Sequence, residues 1–192
     1  MGLVFMPVYI RYLGIESYGL IGIFAILQSW LMLLDMGLTP ALSREMARFT
    51  GGGHSAQSIR DLLRSVECIG FCVAILTALG IWYGSVWLAT DWLKAEKLPI
   101  TVVARAFTVM GIVMALRFIE NIYRSSLVGL QKQVTLNVIT SVLATIRSLG
   151  AVAILIWVAP TIKAFFVWQG IISVVTVTIF VIILYRTLPV AQ

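Results

Sequence analysis

Residues 164–185 read AFFVWQGIISVVTVTIFVIILY and carry no charged side chain. At about 1.5 Å per residue, a helix of this length is roughly 33 Å long, enough for the roughly 30 Å hydrocarbon core of a bilayer. Strict two-residue alternation, the mark of a membrane-spanning strand, is absent, so a helix is the structure that satisfies the backbone polar groups in lipid. The stretch therefore predicts a transmembrane helix.

Four further stretches are apolar and long enough to span. The first is free of charge over 17–34 and continues toward Arg44, and the others lie at about 68–90, 102–127 and 136–159. Residues 1–10 are apolar but too short to cross. We predict an all-α membrane protein, a polytopic helical bundle of five complete transmembrane helices plus a partial first helix. No linker divides the chain, so residues 1–192 form a single transmembrane domain.

The overall composition agrees with this class. Hydrophobic residues make up 60% of the 192 residues, charged residues make up 11%, and the mean hydropathy is +1.02. Ordinary soluble domains contain roughly 45–50% apolar and about 25% charged residues. The composition excludes a soluble globular domain, a disordered tail and a nucleic-acid-binding module. The net charge of +6 comes from basic residues scattered at segment ends, so we expect no nucleic-acid partner.

Those basic residues predict an orientation, because Lys and Arg are enriched on the cytoplasmic side of membrane proteins. One side of the predicted bundle carries Arg44, Arg48, Arg60, Arg64, Arg124, Lys132 and Arg186. The other side carries Arg11, Lys94, Lys97, Arg105 and Lys163. We expect the first side to face the cytoplasm.

Charged side chains inside the predicted spans are the candidate functional residues. An arginine at a helix centre costs about 2.5–3.5 kcal/mol on insertion scales. Arg147 has no acidic neighbour in its own span, so it must face a partner acid or a water-filled cavity. Arg117, Glu120 and Arg124 are spaced i, i+3, i+7 and share one helical face, where Glu120 can pair with either arginine. This set is either functional or a compensated ion triad near the cytoplasmic end.

Asp35 lies inside the first complete span, and Pro40 follows it. Proline removes a backbone hydrogen bond, so we expect a kink or break at Pro40. A broken helix beside an acid can line a ligand site. The alternative is a salt bridge from Asp35 to an arginine on another helix. Arg44, just after the expected kink, is a further candidate for the cavity or a determinant of topology.

Catalytic and metal-binding patterns are missing from the sequence. His54 is the one histidine, the two cysteines lie in one apolar run, and there is no phosphate-binding glycine loop or nucleophile elbow. A membrane-embedded transferase would need an acid pair or metal ligands near an interface. Asp91 and Glu96 are the closest acids in a loop, and Lys94 and Lys97 neutralise them. We therefore expect a protein that is not an enzyme and has no cofactor.

Several short motifs resemble the start of bacterial polysaccharide flippases. The motifs are Arg11-Tyr12-Leu13-Gly14, Tyr18-Gly19-Leu20, Leu34-Asp35-Met36-Gly37-Leu38, Ala41-Leu42-Ser43-Arg44, YRSSLVGLQ at 123–131 and Arg147-Ser148-Leu149-Gly150. This family comprises the O-antigen and polysaccharide transporters, in the superfamily that also holds lipid II flippases and multidrug and toxin extrusion antiporters. The resemblance covers about residues 7–188 and only one six-helix lobe of a two-lobe fold.

The resemblance implies transport of a polysaccharide repeat unit on undecaprenyl diphosphate across the bacterial plasma (inner) membrane by alternating access. It implies that cavity arginines hold the diphosphate, and that the partners are membrane lipids, the lipid-linked oligosaccharide and a second transporter lobe. The residues agree on the chemistry, since arginine is always charged and binds phosphate oxygens bidentately. The candidate substrate-binding residues are Arg147, Arg117, Arg124, Arg44, Asp35 and Glu120.

Two other functions stay open at this point. A cation-coupled small-molecule antiporter of the same superfamily would use Asp35 and Glu120 as ion sites. A non-transporting fragment or assembly partner would also fit a chain that resembles only the N-terminal half of a larger transporter.

Overall fold

The computed structural model describes residues 2–35, 37–92 and 99–188, and in these residues every regular element is helical. The all-α class predicted from the sequence is confirmed. From the sequence, Asp91, Lys94, Glu96 and Lys97 are expected in one loop. Lys94, Glu96 and Lys97 lie outside the described residues, and so does the side chain of Asp91.

Seven α-helices follow one another through the described part of the chain. They are α1 (Gly2–Leu13), α2 (Ile15–Leu34), α3 (Leu38–Thr50), α4 (Ala56–Trp87), α5 (Ile100–Gly129), α6 (Gln133–Trp157) and α7 (Ile162–Thr187). A short π-helical turn, Leu88–Trp92, continues α4.

Four of these helices, α4 to α7, are long and apolar enough to cross a membrane. This makes the chain a multi-pass membrane protein by length and composition. The apolar part of α2, Ile15–Leu31, is shorter than these four. The finer count of five complete spans plus a partial first helix therefore stays a prediction.

The helix predicted to run from residue 17 toward Arg44 is interrupted. Its first part, α2, ends at Leu34, and α3 begins at Leu38 after Gly37, whose φ is +83°. Glycine adopts this left-handed conformation without the steric cost of a Cβ, so Gly37 makes the break. The predicted break beside Asp35 is present, but its expected position at Pro40 is wrong. Pro40 lies in the first turn of α3, where its missing N–H removes no helical hydrogen bond.

The core of the bundle is built around α5. Its buried residues include Phe107, Met110, Val113 and Ile122, which pack against α3, α4 and α7. In contrast, α6 packs mainly on α7 and α1 and touches α5 only lightly. The loose contact between α5 and α6 leaves space between these two helices for polar side chains.

A close helix crossing fixes α3 against α5 at Gly129. A methyl group on Gly129 would overlap the main-chain oxygen of Ser43 and the side chain of Met46. This crossing therefore depends on a residue without a side chain, and it holds α3 beside the cytoplasmic end predicted for α5.

Candidate functional site

A polar cavity of about 210 Å³ lies between α2, α5 and α6. It is lined by Gln28, Leu31, Asp35, Arg117, Phe118, Glu120, Asn121, Arg124, Thr140 and Arg147. Five of the six residues predicted for the site are in this lining. Arg44 is the exception, because it is exposed on α3 and lines neither this cavity nor its neighbour.

A second, wider cavity of about 420 Å³ adjoins the first. The two share Asp35, Asn121 and Arg124. The remaining lining of the wider cavity is rich in hydroxyl groups and comes from α3 and α5: Thr39, Pro40, Ser43, Ser125 and Val128. The site thus has an arginine-rich inner part and a hydroxyl-rich outer part.

Arg117 is held in place by neutral groups from two other helices. Its guanidinium donates to Oε1 of Gln28 on α2 at 3.1 Å and to Oε1 of Gln169 on α7 at 3.2 Å. The ring of Phe24 lies 5.4 Å from the guanidinium carbon, within the range of a cation–π contact. The position of Arg117 beside the cavity is therefore fixed by amide oxygens, with no carboxylate hydrogen-bonded to its guanidinium among the described residues.

Arg147 lies beside both an acid and a cavity, and the sequence predicted at least one of the two. Its Nη2 lies 3.5 Å from Oε2 of Glu120 on α5, and donates to Oγ1 of Thr176 on α7 at 3.3 Å. The Arg147 and Glu120 side chains are each 18% exposed. The ion pair of Glu120 is therefore made with another helix, and Arg117 and Arg124 on its own helix are not its salt-bridge partners. Oε2 of Glu120 makes no hydrogen bond within the described residues, so the pair is loose.

Asp35 stabilises the helix break. Its carboxylate accepts hydrogen bonds from the backbone N–H of Thr39, at 3.2 Å and 3.3 Å, and from the Thr39 hydroxyl. These bonds satisfy donors at the start of α3, which a helix leaves without intrahelical partners. The expected alternative, a salt bridge to an arginine of another helix, is not formed among the described residues. Asp35 borders both cavities from this fixed position.

The side chains of Arg124 and Asn121 have polar groups that are available to a ligand. Both line the two cavities, and within the described part of the chain neither side chain makes a hydrogen bond or an ion pair. Arg124 is exposed, whereas Asn121 is partly buried. Their donors therefore point to the place where the inner and outer parts of the site meet.

The sequence reasoning missed the contribution of α7. Gln169, Ser173 and Thr176 are all buried, and two of them hold the cavity arginines. Their spacing, i, i+4, i+7, puts three polar side chains on one face of an otherwise apolar span. This stripe was the available signal, because a polar face on an uncharged transmembrane helix usually contacts other polar groups inside a bundle.

The charges of the lining favour an anionic ligand with several acceptor oxygens. Three arginines face two carboxylates, which leaves one positive charge in excess. The buried Nε atoms of Arg117 and Arg147 have no hydrogen-bond partner among the described residues. Within those same residues, no group of three His, Cys, Asp or Glu side chains could hold a metal ion.

No family model, curated protein or solved structure matches this chain. The functional inference therefore depends on the geometry and charge of the two cavities.

Proposed function

We propose that this chain is one lobe of a transporter that moves an oligosaccharide linked to undecaprenyl diphosphate across the bacterial plasma membrane by alternating access. The observation that carries the proposal is the lining of the inner cavity, where three arginines outnumber two carboxylates. A cavity with excess positive charge inside a membrane-spanning bundle is matched by a ligand that supplies negative charge and acceptor oxygens.

The diphosphate is the part of the substrate that matches the inner cavity. It is negatively charged and offers acceptor oxygens in planes that a guanidinium can bind through two parallel N–H groups. Arg147 can turn from Glu120 to such a ligand because their ion pair is loose, at 3.5 Å. Arg117 adds charge from a fixed position, and Arg124 offers unpaired donors at the boundary with the outer cavity.

The outer cavity has the chemistry of a sugar-binding surface. Its hydroxyl and amide groups can donate to and accept from sugar hydroxyls, and it borders the arginine-rich part directly. An amphiphile with an anionic diphosphate and a neutral glycan would place one part in each cavity. The lobes would rock to expose the site alternately, which requires a second lobe as a partner of this chain.

The competing antiporter function would use the two cavity carboxylates to bind a coupling cation. Both are already engaged, Asp35 by Thr39 and Glu120 by Arg147. Loss of drug resistance together with sodium or proton dependence would favour the antiporter over the flippase.

Binding of inorganic pyrophosphate to the full chain in nanodiscs of zwitterionic lipid tests the anion site directly. Arg147→Ala should weaken binding about tenfold or more, the effect of losing charge-assisted hydrogen bonds. Glu120→Gln should strengthen binding, because it removes the competing carboxylate. Arg11→Ala is the control, since Arg11 is exposed on α1 and lines neither cavity. Unaltered affinity in Arg147→Ala would contradict the proposal.

Two further measurements separate sources of the anion and test transport. Glycerol phosphate should compete poorly with pyrophosphate if the site selects a diphosphate over a phospholipid headgroup. In cells that make a surface polysaccharide through this transporter, Arg147→Ala should abolish the polysaccharide while the protein still inserts in the membrane. Wild-type polysaccharide levels would count against flippase function.

A further inference from the structure

Trp168 makes an unusual contact with the main chain of a cavity residue. Its indole N–H donates to the backbone oxygen of Arg147 at 3.1 Å. A helical carbonyl oxygen has a second lone pair free for such a bond, and an indole N–H without a partner is costly in an apolar setting. The contact joins α7 to α6 at the residue whose guanidinium borders the cavity.

Gly150 provides the space for this contact. A methyl group on Gly150 would overlap atoms of the Trp168 ring, including Nε1. Gly150 is one turn beyond Arg147 on α6, so the ring lies in the notch that a missing side chain leaves. The hydrogen bond and the notch together specify one rotation of α6 on α7.

The side chain of Arg147 is attached to α7 as well. Its Nη2 donates to Thr176, which lies two turns along α7 from Trp168. Both attachments join Arg147 to α7, one of the two helices on which α6 mainly packs.

We infer that Trp168 is a positioning residue, which fixes the rotation of α6 and so directs the Arg147 guanidinium into the cavity. The inference rests on the proposed function in one respect, that Arg147 contacts the anionic ligand. The placement of residue 147 can be measured with no ligand present, so the two ideas can fail separately.

Thiol accessibility tests the placement in a chain carrying Cys68→Ala, Cys72→Ala and Arg147→Cys. The two native cysteines are free and exposed, so their removal leaves one reactive thiol. Trp168→Phe keeps the ring but removes the N–H. Because the N–H holds position 147 toward the cavity, we expect the thiol at position 147 of the Trp168→Phe chain to react with a water-soluble, positively charged thiosulfonate about two- to tenfold more slowly, the range of one hydrogen bond.

Gly150→Ala tests the same contact independently. The added methyl group displaces the indole ring, although residue 168 is still tryptophan. It should also lower the rate, and it replaces Trp168→Phe if that variant does not fold. The matched controls are Trp157→Phe and Gly80→Ala. Trp157 is 82% exposed, and a methyl group on Gly80 would have no atom within 4 Å apart from its own helix backbone. Neither control should alter the rate. An unaltered or raised rate in the folded Trp168→Phe and Gly150→Ala chains would overturn the inference.

Pyrophosphate binding then tests whether Trp168 acts through Arg147. Trp168→Phe should weaken binding in the chain with Arg147 and have no effect in the Arg147→Ala chain. Equal weakening in both backgrounds would show that Trp168 acts elsewhere and would overturn the inference. If the native chain binds no pyrophosphate, the proposed function fails, and the thiol rates alone decide the role of Trp168.

Discussion

Arg117 shows how a buried guanidinium can remain charged without an acid of its own. Two amide oxygens and one aromatic face surround it, and they belong to α2 and α7, not to its own helix α5. Neutral acceptors fix the direction of the side chain and leave its net charge for a ligand. A carboxylate in the same place would cancel this charge and remove the excess positive charge of the cavity.

Replacement of Arg117 by Met should lower the free energy of unfolding by about 1–2 kcal/mol. Side-chain hydrogen bonds in membrane proteins average about 0.6 kcal/mol, with a maximum near 1.7 kcal/mol, and two are lost. Unfolding of detergent-solubilised protein by a denaturing detergent measures the change. Arg11→Met at an exposed position is the control, and an equal loss there would contradict the structural role of Arg117.

At the scale of helices, glycine sets the close approach of α3 to α5. Gly129→Ala should destabilise the protein by about 1–3 kcal/mol, because the new methyl group overlaps the backbone of α3. Gly80→Ala is the matched control in open space, where alanine favours the helix. Thermal unfolding in detergent compares them. A stable Gly129→Ala variant would mean that α3 can move away from α5 at little cost.

A pH-sensitive contact outside the spans joins α3 to the turn that precedes α4. Glu45 lies 2.6 Å from Nε2 of His54 and 3.3 Å from Arg48. The hydrogen bond with His54, followed by that with Arg48, lowers the pKa of Glu45 below its ordinary value of 4.5. Because the folded pKa is depressed, this contribution to stability is present above 4.5 and is lost as the pH falls through the folded pKa.

His54→Ala should therefore raise the pKa of Glu45 toward 4.5 and reduce the acid dependence of this connection. A carboxyl carbon titration by NMR of the labelled protein measures the pKa. Arg48→Ala should raise the Glu45 pKa less, because its hydrogen bond is longer. A pKa that is the same in the native and His54→Ala proteins would show that the contact is not formed in solution.

The elements that the sequence predicts best are those set by local hydrophobicity. The predicted span 102–127 lies within α5, and 136–159 differs from α6 by a few residues at each end. The break after α2 was expected at Pro40 but is made by Gly37, because a backbone conformation that needs glycine interrupts a helix more strongly than a proline in its first turn.

The partners of the site residues could not be predicted from the sequence. Arg147 was expected to need an acid or a cavity, yet the pairing with Glu120 depends on how α6 packs beside α5. Gln169 and Thr176 were not predicted, because they carry no charge and the candidate residues were the charged side chains inside the spans. Contacts between distant parts of the chain are set by packing, which local patterns do not specify.

For the whole molecule, the predicted orientation can be tested at the two ends of α6 and α7. Lys132 and Lys163 are both exposed and lie at the start of α6 and of α7, respectively. In chains lacking Cys68 and Cys72, Lys163→Cys should react with an impermeant maleimide in intact cells. Lys132→Cys should react only after permeabilisation, because the more basic side is expected to be cytoplasmic. The reverse pattern would contradict this orientation.

The loose pair of Glu120 and Arg147 has a consequence for the molecule as a whole, since it joins two helices that otherwise touch lightly. Under the proposed function, an anion that binds Arg147 would break this ion pair and weaken the attachment of α5 to α6. Anion binding to the cavity and separation of α5 from α6 are then thermodynamically linked. Each raises the equilibrium constant of the other by the same factor. A contact that weakens when an anion binds would let α5 and α6 move apart at this place during a transport cycle.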